Sequence, residues 1–170
     1  VLAAATAQLA TDPAAALAVA EDLLASAPDL LPAQLLAGQA LRQLGQFDAA
    51  VARLSALAAL APTVPAVRWE LAQAAVAAGQ PEVAITALEQ LTRQLPAVPG
   101  GWFLLATQYR AAGRVRDGWQ ADLKGVNAAT QDAELVQAAL AMQQGKLDDA
   151  AAMLVARKAR VGDDPPASRL

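Results

Sequence analysis

Gly45, Gly79 and Gly113 lie 34 residues apart, and Gly145 follows after 32. Gly45, Gly79 and Gly145 open the same phrase: glycine, a polar residue, an apolar residue or proline, an acid, then small residues leading to leucine. Pro28, Pro62 and Pro96 keep the same interval of 34. Ala16, Ala50, Ala84 and, loosely, Ala150 fall in register with them. A chain that repeats at this interval is built from stacked supersecondary units, each unable to bury its apolar face alone.

Each unit reads as two helices. Segment 32–44 places apolar residues three and four apart, the spacing of one helix face. Gly45 then stops it, because glycine enters the left-handed backbone region without a Cβ clash. Segment 47–60 carries a second apolar stripe, and Pro62 punctuates the connection that follows. Alternation of the strand type is missing. Composition supports close helix packing: hydrophobic residues make up 56% of the chain but aromatics only 4%, and alanine fills most of the gap. Alanine favours helix and adds almost no bulk.

The period, the helix–turn–helix unit and the small positions together resemble the tetratricopeptide repeat. Ala37, Gly38, Leu41, Gly45, Phe47, Ala50, Leu54 and Pro62 carry the resemblance in one unit. Leu71, Ala72, Gly79, Ala84, Leu88 and Pro96 carry it in the next. Trp102, Leu105, Ala106, Tyr109 and Gly113 follow, then Ala138, Gly145, Leu147, Ala150 and Leu154. The resemblance covers roughly residues 1–160 and implies an all-α superhelix, an alpha-alpha solenoid of antiparallel helix hairpins. The expected organisation is a single domain over 1–170, with units at 1–30, 31–64, 65–98, 99–130 and 131–162 and a tail or further repeat at 163–170. The first unit is expected to be clipped, and the chain to be cut from a longer array.

Within this register the small residues Gly38, Ala72, Ala106 and Ala138 are expected to let paired helices approach, with Leu41, Leu54 and Leu88 filling the space between units. Gln34, Arg68 and Glu134 depart from the family's large apolar residue at the fourth position. The segment after Gly113 departs most: Gly118, Asp122 and Gly125 stand where alanine and large apolar residues belong. Its own apolar stripe is Val115, Trp119, Leu123 and Val126. This predicts a helix rotated by about one residue from the family register, or shortened, and a bend there.

The chain contains no histidine and no cysteine. That removes the usual nucleophilic triads, disulfides and imidazole or thiolate metal sites. Glycine-rich phosphate loops are missing too. Glu21-Asp22, Asp148-Asp149 and Asp163-Asp164 are adjacent acids, and adjacent side chains diverge on a helix. No catalytic residue, metal site or cofactor is expected. Formal charge is −3 with a pI near 4.8, against nonspecific nucleic-acid binding. No apolar run is long enough to insert in a membrane. Arg110, Arg114, Arg116 and Lys124 form a local basic run, read as solvated or helix-capping side chains.

In the family the first helices of each unit line a groove. Carried over residue by residue, the groove positions hold Leu35, Trp69 and Phe103, then Gln39, Gln73 and Thr107 one turn on, with Arg42, Arg110 and Gln43 beyond. The resemblance implies a protein-interaction module or scaffold that binds a peptide segment through these residues, the arginines favouring an acidic group. Trp69 and Phe103 read equally as packing between units. Two other readings stand beside this one. The first is a non-catalytic accessory domain of a multidomain bacterial enzyme, such as a sulfotransferase preceded by repeats. The second is self-association. Cytoplasm and periplasm both fit.

Overall fold

A computed structural model describes residues 1–130, 133–143 and 146–161. Among them the chain forms ten helices: α1 (Leu2–Gln8), α2 (Pro13–Ser26), α3 (Leu31–Gln43), α4 (Phe47–Leu60), α5 (Pro65–Ala77), α6 (Pro81–Gln94), α7 (Pro99–Ala111), α8 (Val115–Ala129), α9 (Ala133–Gln143) and α10 (Leu147–Val161). Two compact units divide it. Val1–Gln94 holds α1 to α6, and Leu95–Leu170 holds α7 to α10. Gly145 and the segment 163–170 lie outside the described residues.

The glycine turns do what the backbone demands of them. Gly45, Gly79 and Gly113 have φ of 76°, 68° and 77°, and no other described residue has positive φ. Each closes its helix with the same pair of hydrogen bonds. At the first, Gly45 N–H donates to Arg42 C=O (3.1 Å) and Gln46 N–H to Leu41 C=O (2.9 Å). The matching longer bonds are Gln80 to Ala75 (2.8 Å) and Arg114 to Tyr109 (2.7 Å). These satisfy carbonyls that would otherwise end the helix unpaired. The following helix starts at once, its first turn accepted by the carbonyl of Gln46, Gln80 or Arg114. Lys146 N–H makes the corresponding long bond to Ala141 C=O (2.9 Å).

Proline starts the helices at the other connection. Pro32, Pro65 and Pro99 stand in the first turns of α3, α5 and α7, where a missing N–H costs nothing, and Pro13 and Pro81 do the same for the second helices α2 and α6. Asp12 adds a side-chain cap, accepting from Ala15 N–H at 2.9 Å.

The core of Val1–Gln94 is made of small residues around a few leucines. Ala16, Ala20, Ala37, Ala50, Ala72 and Ala84 are fully buried, as are Leu54, Leu57 and Leu88. Each buried leucine contributes about 1.5–3 kcal/mol relative to exposure. Helix α3 approaches α4 so closely at Gly38 that a Cβ there would lie 2.6 Å from Leu54 Cδ2. In the second unit Leu105, Ala106 and Tyr109 of α7 and Gly118, Ala121, Gly125 and Val126 of α8 are the buried positions of the hairpin.

Helix α8 corrects one expectation. It is neither shortened nor displaced: at 15 residues it is one longer than α4 and α6. Its buried face runs through Gly118, Ala121, Gly125 and Val126; of the expected stripe Val126 is buried and Leu123 half-buried, while Val115 and Trp119 are 52% and 41% exposed. Size decides the face here. Gly118 lets the α7 backbone in, since a Cβ on it would sit 3.1 Å from Ala106 C=O. An indole in that place would hold the helices apart.

Two of the departures at the fourth position share a role with Trp102, which keeps the family's large residue. Gln34 Nε2 donates to Pro28 C=O (2.5 Å), Arg68 Nη2 to Pro62 C=O (2.9 Å) and Trp102 Nε1 to Pro96 C=O (2.9 Å). Amide, guanidinium and indole each bring an N–H six residues past a proline. Each ties the start of a repeat to the connection that precedes it.

Candidate functional site

In the first unit the expected groove residues lie on α3 and α5. Leu35 and Gln39 of α3 are half-buried, and Gln43 is exposed. Gln39 Nε2 donates to Glu70 Oε1 at 2.9 Å, and Arg42 Nη2 reaches Glu70 Oε2 at 3.2 Å. One carboxylate of α5 thus gathers two side chains of α3. The Arg42–Glu70 pair is screened from water on both sides, at 26% and 13% side-chain exposure. Arg42 Nε is buried without a hydrogen-bond partner.

Trp69 and Gln73 lie one turn apart on α5 and are both half-buried. Neither side chain has a hydrogen-bond partner among the described residues. Trp69 differs in this from Trp102, whose indole N–H is spent on Pro96. Half-buried aromatic surface with an unspent N–H beside an unspent amide can hold an extended backbone.

In the second unit Phe103, Thr107 and Arg110 lie on α7. Phe103 is 39% exposed, and its ring rests on Gly125 of α8, where a Cβ would lie 2.6 Å from Cε1. Thr107 donates its hydroxyl to Phe103 C=O of its own helix at 3.0 Å. Arg110 pairs with Asp122 of α8. The basic run is engaged nearby: Arg114 pairs with Asp117 at 2.8 Å and lies 4.4 Å from the Tyr109 ring centre, and Lys124 lies 4.8 Å from the Trp102 ring centre.

Glu70 escapes the sequence reading: it stands 28 residues after Arg42 and 31 after Gln39, off the period of 34. Two open hollows between successive second helices escape it as well. One, of about 570 Å³, lies between α4 and α6 and is lined by Ser55, Arg68, Leu71, Glu82, Thr86 and Gln90 among others. The other, of about 670 Å³, lies between α2 and α4 and includes Glu21, Gln34 and Arg53.

Residues 41–107 match the family model of the tetratricopeptide repeat. Over that stretch the chain carries tetratricopeptide repeats. Solved structures agree with that fold. A crystal structure of MamA matches with a TM-score of 0.71 at 16% identity, over 94% of this chain and 92% of the other. MamA 41-end from Desulfovibrio magneticus RS-1 gives 0.70 at 20% identity, over 94% and 93%. A thermophilic tetratricopeptide protein of Thermus thermophilus gives 0.61 at 21% identity, over 98% and 93%. At such identities the likeness is one of fold. No curated protein matches the sequence. The described residues have the tetratricopeptide-repeat fold, and no helix among them is long and apolar enough to cross a membrane.

Proposed function

We propose that the domain is a non-catalytic interaction module whose α3–α5 surface binds a peptide segment of a protein partner. The observation that carries this is the pair Trp69 and Gln73, half-buried one turn apart with no hydrogen-bond partner among the described residues. Trp102, half-buried like Trp69, spends its polar handle on Pro96, as buried indoles normally do. Leu35 and Trp69 supply apolar contact, Gln73 and Gln43 meet peptide backbone groups, and Gln39 is held in place by Glu70. Arg42 accepts an acidic residue of the peptide in exchange for Glu70. Phe103, Thr107 and Arg110 form a separate part of the proposal, confined to the second unit. The repeat boundaries set out from the sequence, 1–30, 31–64, 65–98, 99–130 and 131–162, belong to the same proposal.

Selection of peptides from a random display library on the intact chain tests it. Selected peptides are expected to lose at least about tenfold in affinity for Gln73→Ala and to carry an acidic residue, since a charge-assisted hydrogen bond to Arg42 is the stronger polar contact available. Peptides whose binding ignores Gln73→Ala and Trp69→Ala would place the binding surface elsewhere.

A further inference from the structure

The charge on Arg68 has no use in the fold. Its role at the start of α5 is to donate to Pro62 C=O, through Nε at 3.3 Å and Nη2 at 2.9 Å. The neutral amide of Gln34 and the neutral indole of Trp102 do the same for Pro28 and Pro96. Arg68 nevertheless keeps a full cation at 9% exposure, with neutral acceptors only: Pro62 C=O and the Gln90 side-chain oxygen. Among the described residues no carboxylate pairs with it. A buried guanidinium without a counter-charge is costly, because its hydration is lost and nothing of opposite sign replaces it. Of its five N–H donors, three are accounted for by Pro62 and Gln90.

Arg68 also lines the 570 Å³ hollow between α4 and α6, together with the hydroxyl side chains Ser55 and Thr86. The repeat-equivalent hollow between α2 and α4 provides the contrast. Neutral Gln34 lines it in the place of Arg68, and the lining charges Arg53 and Glu21 are paired with each other at 2.6 Å. Glu82 lines the α4–α6 hollow but forms no ion pair with Arg68, and it is exposed in the first turn of α6.

We infer that the α4–α6 hollow is a second binding site, one that takes the carboxylate of a glutamate or aspartate side chain of a partner polypeptide onto Arg68. The hollow is open along the helices, so a side chain can enter while its backbone stays outside. Guanidinium and carboxylate match in a planar, two-bond geometry, and low exposure strengthens that pair. The site is independent of the Trp69 and Gln73 surface.

Amide chemical-shift titration of the intact chain tests this with two probes, acetyl-Ala-Glu-Ala-amide and acetyl-Ala-Gln-Ala-amide. The glutamate peptide is expected to shift the amides of Ser55, Thr86 and Gln90 saturably, and the glutamine peptide to bind at least about tenfold more weakly. Arg68→Gln restores the pattern of Gln34 and is expected to keep the fold while losing that preference. Should Arg68→Gln not fold, Glu82→Gln serves instead: removing the competing carboxylate is expected to strengthen binding of the glutamate peptide several-fold. Equal shifts with both peptides, no shifts, or Glu82→Gln without effect would overturn the site. Free glutarate binding as tightly as the glutamate peptide would overturn the polypeptide source.

Discussion

Hairpins α3–α4 and α7–α8 use the same turn and the same register but divide bulk between their helices in opposite ways. In α3–α4 the first helix gives way: Gly38 is small and Leu54 of α4 fills the space against it. In α7–α8 the second helix gives way: Gly118 and Gly125 are small, and Arg110 and Phe103 of α7 lie over them. Gly125 stands two periods after Leu57, a fully buried leucine, and Asp122 stands likewise after Leu54. Volume removed from one helix is therefore returned by its partner. The repeat conserves the space between helices, not the residue that occupies it.

The equivalent arginines show the same divergence in charge. Arg42 of α3 pairs with Glu70 on the first helix of the next hairpin, and Arg110 of α7 pairs with Asp122 inside its own hairpin. The first link joins neighbouring hairpins. The second stands where Leu54 and Leu88 put apolar bulk, and it leaves the side chains at 41% and 29% exposure.

Substitutions can break this comparison. The largest effect is expected at Gly38→Ala. Leu54 is fully buried and has no room to retreat from a Cβ 2.6 Å away, so overpacking is expected to cost about 1–3 kcal/mol in chemical unfolding. A smaller loss, about 0.2–1 kcal/mol and shrinking with added salt, is expected for Asp122→Asn, because its ion pair is partly solvated. Gly125→Ala sharpens the contrast. Its Cβ would also lie 2.6 Å from a neighbour, but Phe103 is 39% exposed and can swing outward. Helix propensity then offsets the contact by about 0.5–1 kcal/mol, and a net change near zero is expected. Equal losses for Gly38→Ala and Gly125→Ala would show that the two hairpins are filled alike.

The hairpins, their turns and their small positions were legible because local rules impose them. A positive φ selects glycine at Gly45, Gly79 and Gly113, and close approach selects Gly38, Ala72 and Ala106. The face of α8 was not legible from apolarity. Val115, Trp119, Leu123 and Val126 make a sound stripe, yet only its second half is buried or half-buried, and the first half of the helix turns Gly118 and Ala121 inward because size governs a close contact. The role of Gln34 and Arg68 was hidden for another reason: they look like failed apolar positions until the proline carbonyls are seen beside them. Of the candidate surface, Trp69 and Gln73 were singled out by the resemblance to the family's groove positions, and their spacing of four sets them on one helix face. The Glu70 partnership with Gln39 and Arg42 needs two helices of different hairpins side by side, which a one-dimensional pattern does not encode.

On the proposed function, Trp69 is an anchor for a ligand and not a member of the core. Chemical unfolding of Trp69→Ala, paired with titration of a library-selected peptide, measures both at once. Unfolding free energy is expected to fall by no more than about 1 kcal/mol, as for a half-buried side chain, while affinity falls about 30-fold, or about 2 kcal/mol, as at a binding hot spot. A stability loss of about 3–5 kcal/mol, the cost of emptying a core aromatic site, or unchanged affinity in a folded variant, would contradict it.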